Sequence, residues 1–416
     1  MNSDKHFDLI ISGGGMVGLA LAAASARFGL HCALIEKGTI TINDDQPDQF
    51  SPRVSALNLA SERLLTHLGA WQRIPEHRKT PYFDMNVWDG LGSGQINFNA
   101  HDVQTDHLGH IVENSYITEA LWQTVLDHPE IEVFTGDSVC QWQQNETGIR
   151  VETEQGHHLS ASLLTGCEGK HSPVRQKSKI EQWQWAYEHT AIVTTVFHDK
   201  PNAHVASQVF LESGPLAFLP LTHTKPGQYA SSIVWSAKTE RAEQLLHLDD
   251  AGFIAQLEHA FEARYGKILA IDPRFSFPLT ATQSKTYIDG RVVVLGDAAH
   301  TIHPLAGLGV NLGFLDAAAL ADVLSQAKNG QQDCAHRFVL RRYQRQRQTH
   351  NLAVAALMEA LKRLFDTQAA LPVVARNLGL SLLNRQALLK RPLVLGALGD
   401  FGTPLPSLCQ PDLENN

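Results

Sequence analysis

Residues 7–12 (FDLIIS) form a short, almost unbroken apolar run, the pattern of a strand buried on both faces of a parallel sheet. Gly13-Gly14-Gly15-Met16-Val17-Gly18 follows. Residues 19–28 are rich in Ala and Leu and predict a helix, which Gly29 stops. Residues 32–36 (CALIE) predict a second buried strand, so the chain opens as a βαβ unit. Helical spacing returns over 61–71 and 117–126, and strand patterns over 131–134, 149–153 and 163–165. Residues 82–98 carry turn signals and short strands. Within them Gly90-Leu91-Gly92-Ser93-Gly94 reads as a hairpin turn, because no helix follows it. Strands dominate 190–277, interrupted by a helical stretch at 253–264. Residues 291–295 (RVVVL) predict a buried strand, and long helical patterns cover 311–325 and 338–365. No internal repeat or low-complexity linker is visible. Nucleotide-fold segments alternate with strand-rich ones, which predicts interleaved domains.

Composition narrows the classes. At ~100–200 residues per domain, 416 residues give two or three domains. Lys and Arg number 34 against 43 Asp and Glu, a net charge of −9, which argues against a nucleic-acid partner. A hydrophobic content of 43% with 19% charged residues excludes a disordered chain. The five cysteines, Cys32, Cys140, Cys167, Cys334 and Cys409, lie far apart and form no C-x-x-C. That excludes a disulfide scaffold and a thiol-redox pair, and fits a reducing compartment. No apolar run approaches the ~18–20 residues of a spanning helix. The polar start and the glycines behind the first apolar run read as a strand entry, not a signal peptide. The expectation is a cytoplasmic protein.

Three motifs carry chemistry. Gly13-x-Gly15-x-x-Gly18 sits between strand and helix, and Glu36 ends the next strand, 21 residues after Gly15. Such glycines let backbone N–H groups approach a pyrophosphate at a helix N-terminus, and such an acid binds a ribose hydroxyl. Gly166-Cys167-Glu168-Gly169-x-x-Ser172-x-x-Arg175 follows a short strand and suits a loop near a phosphate-bearing ligand. In residues 291–313, a buried strand ends at Gly296-Asp297, and a Pro- and Gly-rich loop enters a helix near Asn311. An acid at the carboxyl end of a parallel strand lies where such folds bind ligands, and the helix start offers free N–H groups. His300 and His303 have metal-ligand spacing but no third ligand nearby, so they read as loop hydrogen bonds or packing, and no metal is assigned.

Together these motifs resemble the group A flavin-dependent aromatic hydroxylases, the family of para-hydroxybenzoate hydroxylase, over residues 7–365. Pro52-Arg53-Val54-Ser55-Ala56-Leu57, Leu64-Leu65, Leu68-Gly69-Ala70-Trp71, residues 109–115 (GHIVENS), Leu121-Trp122, residues 217–221 (AFLPL), Phe277-Pro278-Leu279 and residues 299–307 are similar to the ubiquinone-biosynthesis hydroxylases. His107-Leu108-Gly109-His110 places the chain nearest the 2-polyprenylphenol branch, which acts at ring carbon 5. The resemblance implies a Rossmann-like FAD-binding domain (1–75, 100–180 and 280–355), a β-sheet substrate domain (76–99 and 181–279) and a C-terminal helical region (356–416). It places Gly13, Gly15, Gly18, Glu36, Arg53, Asn114, Asp297, Gly307, Gly309, Val310 and Asn311 on FAD. Arg53 and Asn114 also have plain readings, as a loop salt bridge and a helix cap. NAD(P)H would reduce the flavin, O2 would add to it as a C4a-hydroperoxide, and the phenol ring would take the distal oxygen. The resemblance names no catalytic residue.

Two departures stand out. Glu168 replaces the usual Asp, and Leu308 replaces a Gln of this branch. A Gln at 308 would hydrogen-bond the loop or a flavin-bound water, so Leu308→Gln is expected to couple NAD(P)H use to product more tightly. These departures motivate a second reading, a non-catalytic flavin-holding subunit of a ubiquinone-biosynthesis complex. A third is a flavin reductase or dehydrogenase without hydroxylation, and a sister-branch hydroxylase acting at another ring position stays open beside these. Trp183-x-Trp185 resembles a flavin-halogenase motif, yet Tyr187-Glu188 breaks it, and two aromatics entering the substrate domain is the plainer reading.

A polyprenylated phenol resides in the bilayer, which implies peripheral contact at the inner face of the plasma membrane. Arg337, Arg341, Arg342, Arg345 and Arg347 have no acid among them. Residues 376–391, with Arg376, Arg385, Lys390 and Arg391, are Leu-rich and also lack acids. Both read as basic patches for anionic headgroups or for partner subunits of a ubiquinone-biosynthesis complex.

Overall fold

The computed structural model describes residues 5–43, 45, 46, 48–223, 225–302, 307–367, 369–386, 390, 396 and 404–411; His303 and Arg391 lie outside them, as does the side chain of Arg385. The first strand, His6–Ser12, lies inside an eight-stranded sheet. It pairs in parallel with Cys32–Glu36 on one side and His158–Gly166 on the other. Ile131–Thr135 and Val292–Val294 extend the parallel sheet outward. Leu9, Ile10 and Ile11 are fully buried, because both faces of this strand are covered. Helices Met16–Arg27, Asn114–Leu126 and Gly309–Asn329 cover one face and share the largest core. The hairpin Val139–Gln144/Ile149–Thr153 packs on the other. Ala317, Ala318, Ala319 and Ala321 let Gly309–Asn329 run against Met16–Arg27 at close range.

A nine-stranded sheet has the order His300–Thr301, Phe275–Ser284, Gln182–His198, Tyr229–Lys238, Gly214–Leu221, Val205–Leu211, Asp84–Asp89, Gln95–Asn99, with Ile268–Ile271 beside Gln182–His198. The period-2 alternation splits its side chains between two faces. Ile192, Val209, Leu216, Phe218, Ile233 and Trp235 point back into a core closed by helices Thr239–His247 and Asp250–Ala260. Ala191, Val193, Gln208, Ala217, Leu219 and Val234 point forward, into a cavity. A small antiparallel sheet, Val54–Asn58, Gly109–Glu113 and Thr80–Tyr82, is wedged between the two larger ones: Leu57 and Val112 join the first core, while Ile111 packs on Leu221 and Ala230.

Several boundaries differ from the sequence reading. The helix expected at 253–264 runs from Asp250 to Ala260, where Asp249 caps it by accepting from Gly252 N at 2.8 Å, and a further helix the pattern did not show, Thr239–His247, precedes it across the extended Leu248. The helix expected at 61–71 starts two residues earlier, at Leu59, where Asn58 caps it. Asn114 is the first helical residue and not a cap; Glu113 holds the cap position without a side-chain bond.

Candidate active site

The three sheets meet around a cavity of about 1030 Å³, at the upper end of the ~300–1,000 Å³ usual for small-molecule pockets. One wall is polar backbone and loop. The other is the forward face of the nine-stranded sheet.

The first glycine loop builds the polar end. Gly13 has φ +105°, and a Cβ there would stand 2.7 Å from the Cys167 carbonyl group. A Cβ on Gly18 would lie 2.0 Å from the Gly13 carbonyl oxygen, so only glycine lets the helix start this close to the strand. Gly15 caps the helix Met16–Arg27, and a Cβ there would meet nothing within 4 Å. Gly13 and Gly18 thus serve packing, while Gly15 leaves backbone facing the cavity. Glu36, at the end of the second strand, accepts from Gly38 N at 2.7 Å and from Gly14 N. Its carboxylate therefore shapes the loop as well as facing the cavity.

Arg53 and Asn114 sit at adjacent ends of paired strands. Asn114 N donates to Arg53 O at 3.0 Å, and Asn114 Oδ1 accepts from Ser55 Oγ at 2.6 Å. The Arg53 guanidinium lies over the Phe277 ring, 5.5 Å from its centroid. Arg78, which no sequence pattern singled out, holds the loop before them. It is buried, donates to Glu113 and Asp45 at 2.9 Å each, and donates to the Gln46 and Gln49 carbonyls.

Glu168 reaches into the cavity wall, where Ser12 Oγ and Ser172 Oγ donate to its two oxygens at 2.7 and 2.6 Å. Burial raises its carboxyl above the usual range, against the pull of these hydroxyls. The longer side chain is therefore accommodated by two serines. Asp297 opens onto the cavity and is wrapped by protein on its other sides. That desolvation pushes its carboxyl up, and the charges of His300, Arg53 and Lys170 oppose the shift.

Gly307, Gly309 and Val310 line the cavity where helix Gly309–Asn329 begins, and its first turn carries no acid. Its N–H groups and partial positive charge suit an anionic ligand. Asn311 is placed differently. Its carboxamide is committed to protein: Oδ1 accepts from Asn58 N (3.0 Å) and Ser61 Oγ (2.7 Å), while Nδ2 donates to Ala56 O (2.8 Å) and Gly307 O (3.1 Å). The side chain clamps the loop and is not part of the cavity wall.

Behind this loop lies a buried polar network that the sequence reading missed. Asp316 is fully buried and accepts from His300 Nε2 (2.6 Å), Arg347 Nε (2.7 Å), Asn351 Nδ2 (3.0 Å) and Gly296 N (3.1 Å). The available signal was a lone acid in the apolar stretch 309–321, which must be paired if the helix is buried all round. Arg347 accordingly leaves the surface patch to which the arginine run assigned it. Arg376 also belongs inside, with Nε donating to Asp89 at 2.8 Å, and Lys390 pairs with Asp102 at 2.6 Å. Their acids come from distant segments, so local charge counting could not see them.

Leu308 overturns the hydrogen-bonding expectation. It is buried with Val87, Phe210, Ile302, Leu312 and Val354, away from the cavity wall. Glutamine there would bury an amide among hydrocarbon. Leu308→Gln should therefore destabilise the protein by ~1–3 kcal/mol and leave coupling no better. Denaturant melts of the two proteins check this, and equal midpoints would contradict the packing account.

The sequence profile of the family described as "FAD binding domain" matches residues 6–358. A mitochondrial ubiquinone biosynthesis monooxygenase of Danio rerio is 34% identical over 94% of this chain and 90% of its own length. The 3-demethoxyubiquinol 3-hydroxylase of Escherichia coli K12 is 33% identical over 95% of this chain and 100% of its own length. Among solved structures, p-nitrophenol 4-monooxygenase from Pseudomonas putida superposes with a TM-score of 0.75 at 19% identity, covering 96% of this chain and 100% of that one.

Proposed function

The chain belongs to the FAD binding domain family of flavin-dependent monooxygenases, and from that premise we propose that it hydroxylates the aromatic ring of a polyprenylated phenol in ubiquinone biosynthesis, with NAD(P)H as reductant and O2 as co-substrate. The observation that carries this reading is the continuity of one cavity, from the Gly13–Gly18 loop past Asp297 and Gly309 to an apolar sheet face. The residues fit FAD. Gly15 leaves open space beside backbone N–H groups, Glu36 ends the second strand, and the Gly309 helix start faces the cavity free of acids. FAD supplies the activation of O2 for transfer of one oxygen atom to an aromatic ring. The chain's own residues bind, orient and dry the site. Arg53 and Asn114 would position the flavin from the small sheet. Ala191, Ala217, Val193, Leu219 and Val234 would exclude water and accept an apolar ring. The non-catalytic reading loses its motive, since Ser12 and Ser172 satisfy Glu168 and Leu308 packs in a core.

Analysis of quinone intermediates in a strain lacking the gene tests this function. A polyprenylphenol short of one ring hydroxyl should accumulate, and its structure names the position attacked. An unchanged quinone profile would overturn the proposal.

Peripheral docking on an anionic bilayer is part of the same reading, with a changed footprint. Among the described residues no helix is long and apolar enough to cross a membrane. Helix Arg337–Asp366 exposes Phe338, Arg341, Arg342 and Arg345, then Leu352 and Ala356 on the same side. Helix Ala370–Arg385 adds exposed Val374, Leu378 and Leu382 at i, i+4 and i+8. Basic residues followed by an apolar stripe suit insertion below anionic headgroups. Charge reversal at Arg341 and Arg345 should weaken binding to phosphatidylglycerol vesicles, at about 1 kcal/mol for each basic residue lost. Equal binding of wild type to phosphatidylcholine and phosphatidylglycerol would exclude this role.

A further inference from the structure

We propose that Glu62, His107 and His110 bind one divalent transition-metal ion of zinc-like chemistry, which braces the small sheet carrying Arg53 and Asn114. Glu62 lies in the first turn of helix Leu59–His67, directly after strand Val54–Asn58. His110 lies in strand Gly109–Glu113 and pairs with Leu57, while His107 stands just ahead of that strand. Two segments distant in sequence thus converge.

Their donor atoms meet at one point. His107 Nε2 is 2.9 Å and His110 Nδ1 3.0 Å from the same Glu62 oxygen, and all three donors lie within 4.8 Å of one another. Packing fixes the rings: His110 meets Trp71 edge-on at 5.1 Å, and the two imidazoles meet edge-to-face at 4.5 Å. The three side chains are 13–21% exposed, open enough for an ion with a water and closed enough to stay ordered.

The donor set chooses the ion. Two imidazoles and one carboxylate suit zinc and its first-row neighbours, whereas magnesium and calcium prefer all-oxygen sites. Zinc–ligand distances of ~2.0–2.1 Å place tetrahedral ligands about 3.3 Å apart, so the carboxylate–imidazole distances need open by only a few tenths of an ångström. The fourth position would take water.

The ion would act at a distance from the cavity. Leu57 pairs with His110 at one end of the strand pair, and Val54 pairs with Glu113 at the other, next to Arg53 and Asn114. A link between Glu62 and His110 fixes the first end and so steadies the second. The role is positioning, with no part in the oxygen chemistry.

The test uses protein purified without a histidine tag, dialysed against a chelator and titrated with Co2+. Visible cobalt absorption should saturate at one ion per chain and vanish when Zn2+ is added. His110→Ala should abolish the spectrum, and Glu62→Gln should weaken binding at least ~tenfold. Chelation should lower the melting temperature of the wild type but not of His110→Ala. If His110→Ala does not fold, as judged by circular dichroism, His107→Ala carries the same predictions. No cobalt spectrum in the wild type, or one unchanged in the variants, would overturn the site and leave the triad as a hydrogen-bonded ion pair.

Discussion

Asp316→Ala should cost about 3–5 kcal/mol of stability, the scale for removing one partner of a buried ion pair. The variant keeps two buried basic side chains, His300 and Arg347, without their carboxylate. It also frees Gly296 N, in the turn that presents Asp297 to the cavity. Burial alone would raise the Asp316 pKa, but the charges and hydrogen bonds of His300 and Arg347 outweigh it and hold the carboxyl far below the usual range. A depressed folded-state pKa gives stability that is complete above the unfolded value, ~3.9, and is lost as pH falls through the folded one. The gap between wild type and variant should therefore be widest near neutrality and narrow in acid. Denaturant melts across pH measure it. A gap below ~1 kcal/mol at neutral pH would mean that the network is dispensable.

Gly18→Ala and Gly15→Ala should fail in different ways. At Gly18 the new methyl would stand 2.0 Å from a backbone oxygen, and no rotamer relieves a clash between backbone and Cβ. The helix must move off the strand, with a cost of ~1–3 kcal/mol or more and loss of the flavin loop. At Gly15 the methyl enters open space and the φ of −75° suits any residue, so the fold should stand. The same methyl would occupy the surface proposed to face the FAD pyrophosphate. Gly15→Ala should lower FAD affinity by at least ~tenfold, or 1.4 kcal/mol, at unchanged melting temperature of the FAD-free protein. Titration calorimetry with FAD and a thermal melt of each variant separate the two cases. Equal FAD affinity of Gly15→Ala and wild type would remove this loop from the cofactor site.

Much of this architecture was legible because its signals are local. The apolar run 7–12, the glycine spacing and Glu36 are all read within 36 residues, and they define the polar end of the cavity. The strand after Arg291 and the loop into helix Gly309–Asn329 were legible for the same reason. What sequence could not give was pairing across distance. Arg78 finds Glu113, Arg376 finds Asp89, and Asp316 finds Arg347, over separations of 31–287 residues. Arg347, Arg376 and Lys390 drop out of the basic patches on this point, since their acids lie elsewhere in the chain, while Arg341, Arg342 and Arg345 stay exposed. Leu308 failed on direction: neighbours at 307 and 309 face the cavity, while helix geometry turns residue 308 into the apolar cluster beside it. Glu62, His107 and His110 gave only the weak signal of two histidines three apart, and the carboxylate that completes the set comes from another element.

The central claim is that this cavity transfers oxygen from O2 to a phenolic ring. Its most direct test is a single reaction under 18O2. Purified holoprotein is mixed with NAD(P)H and a short-chain polyprenylphenol, and the product is analysed by mass spectrometry alongside peroxide. The account predicts one 18O atom per product ring and NAD(P)H oxidation accelerated by the phenol, with both reduced in Gly15→Ala at limiting FAD and recovered as FAD is raised. Phenol recovered unchanged while NAD(P)H consumption yields only peroxide would contradict it.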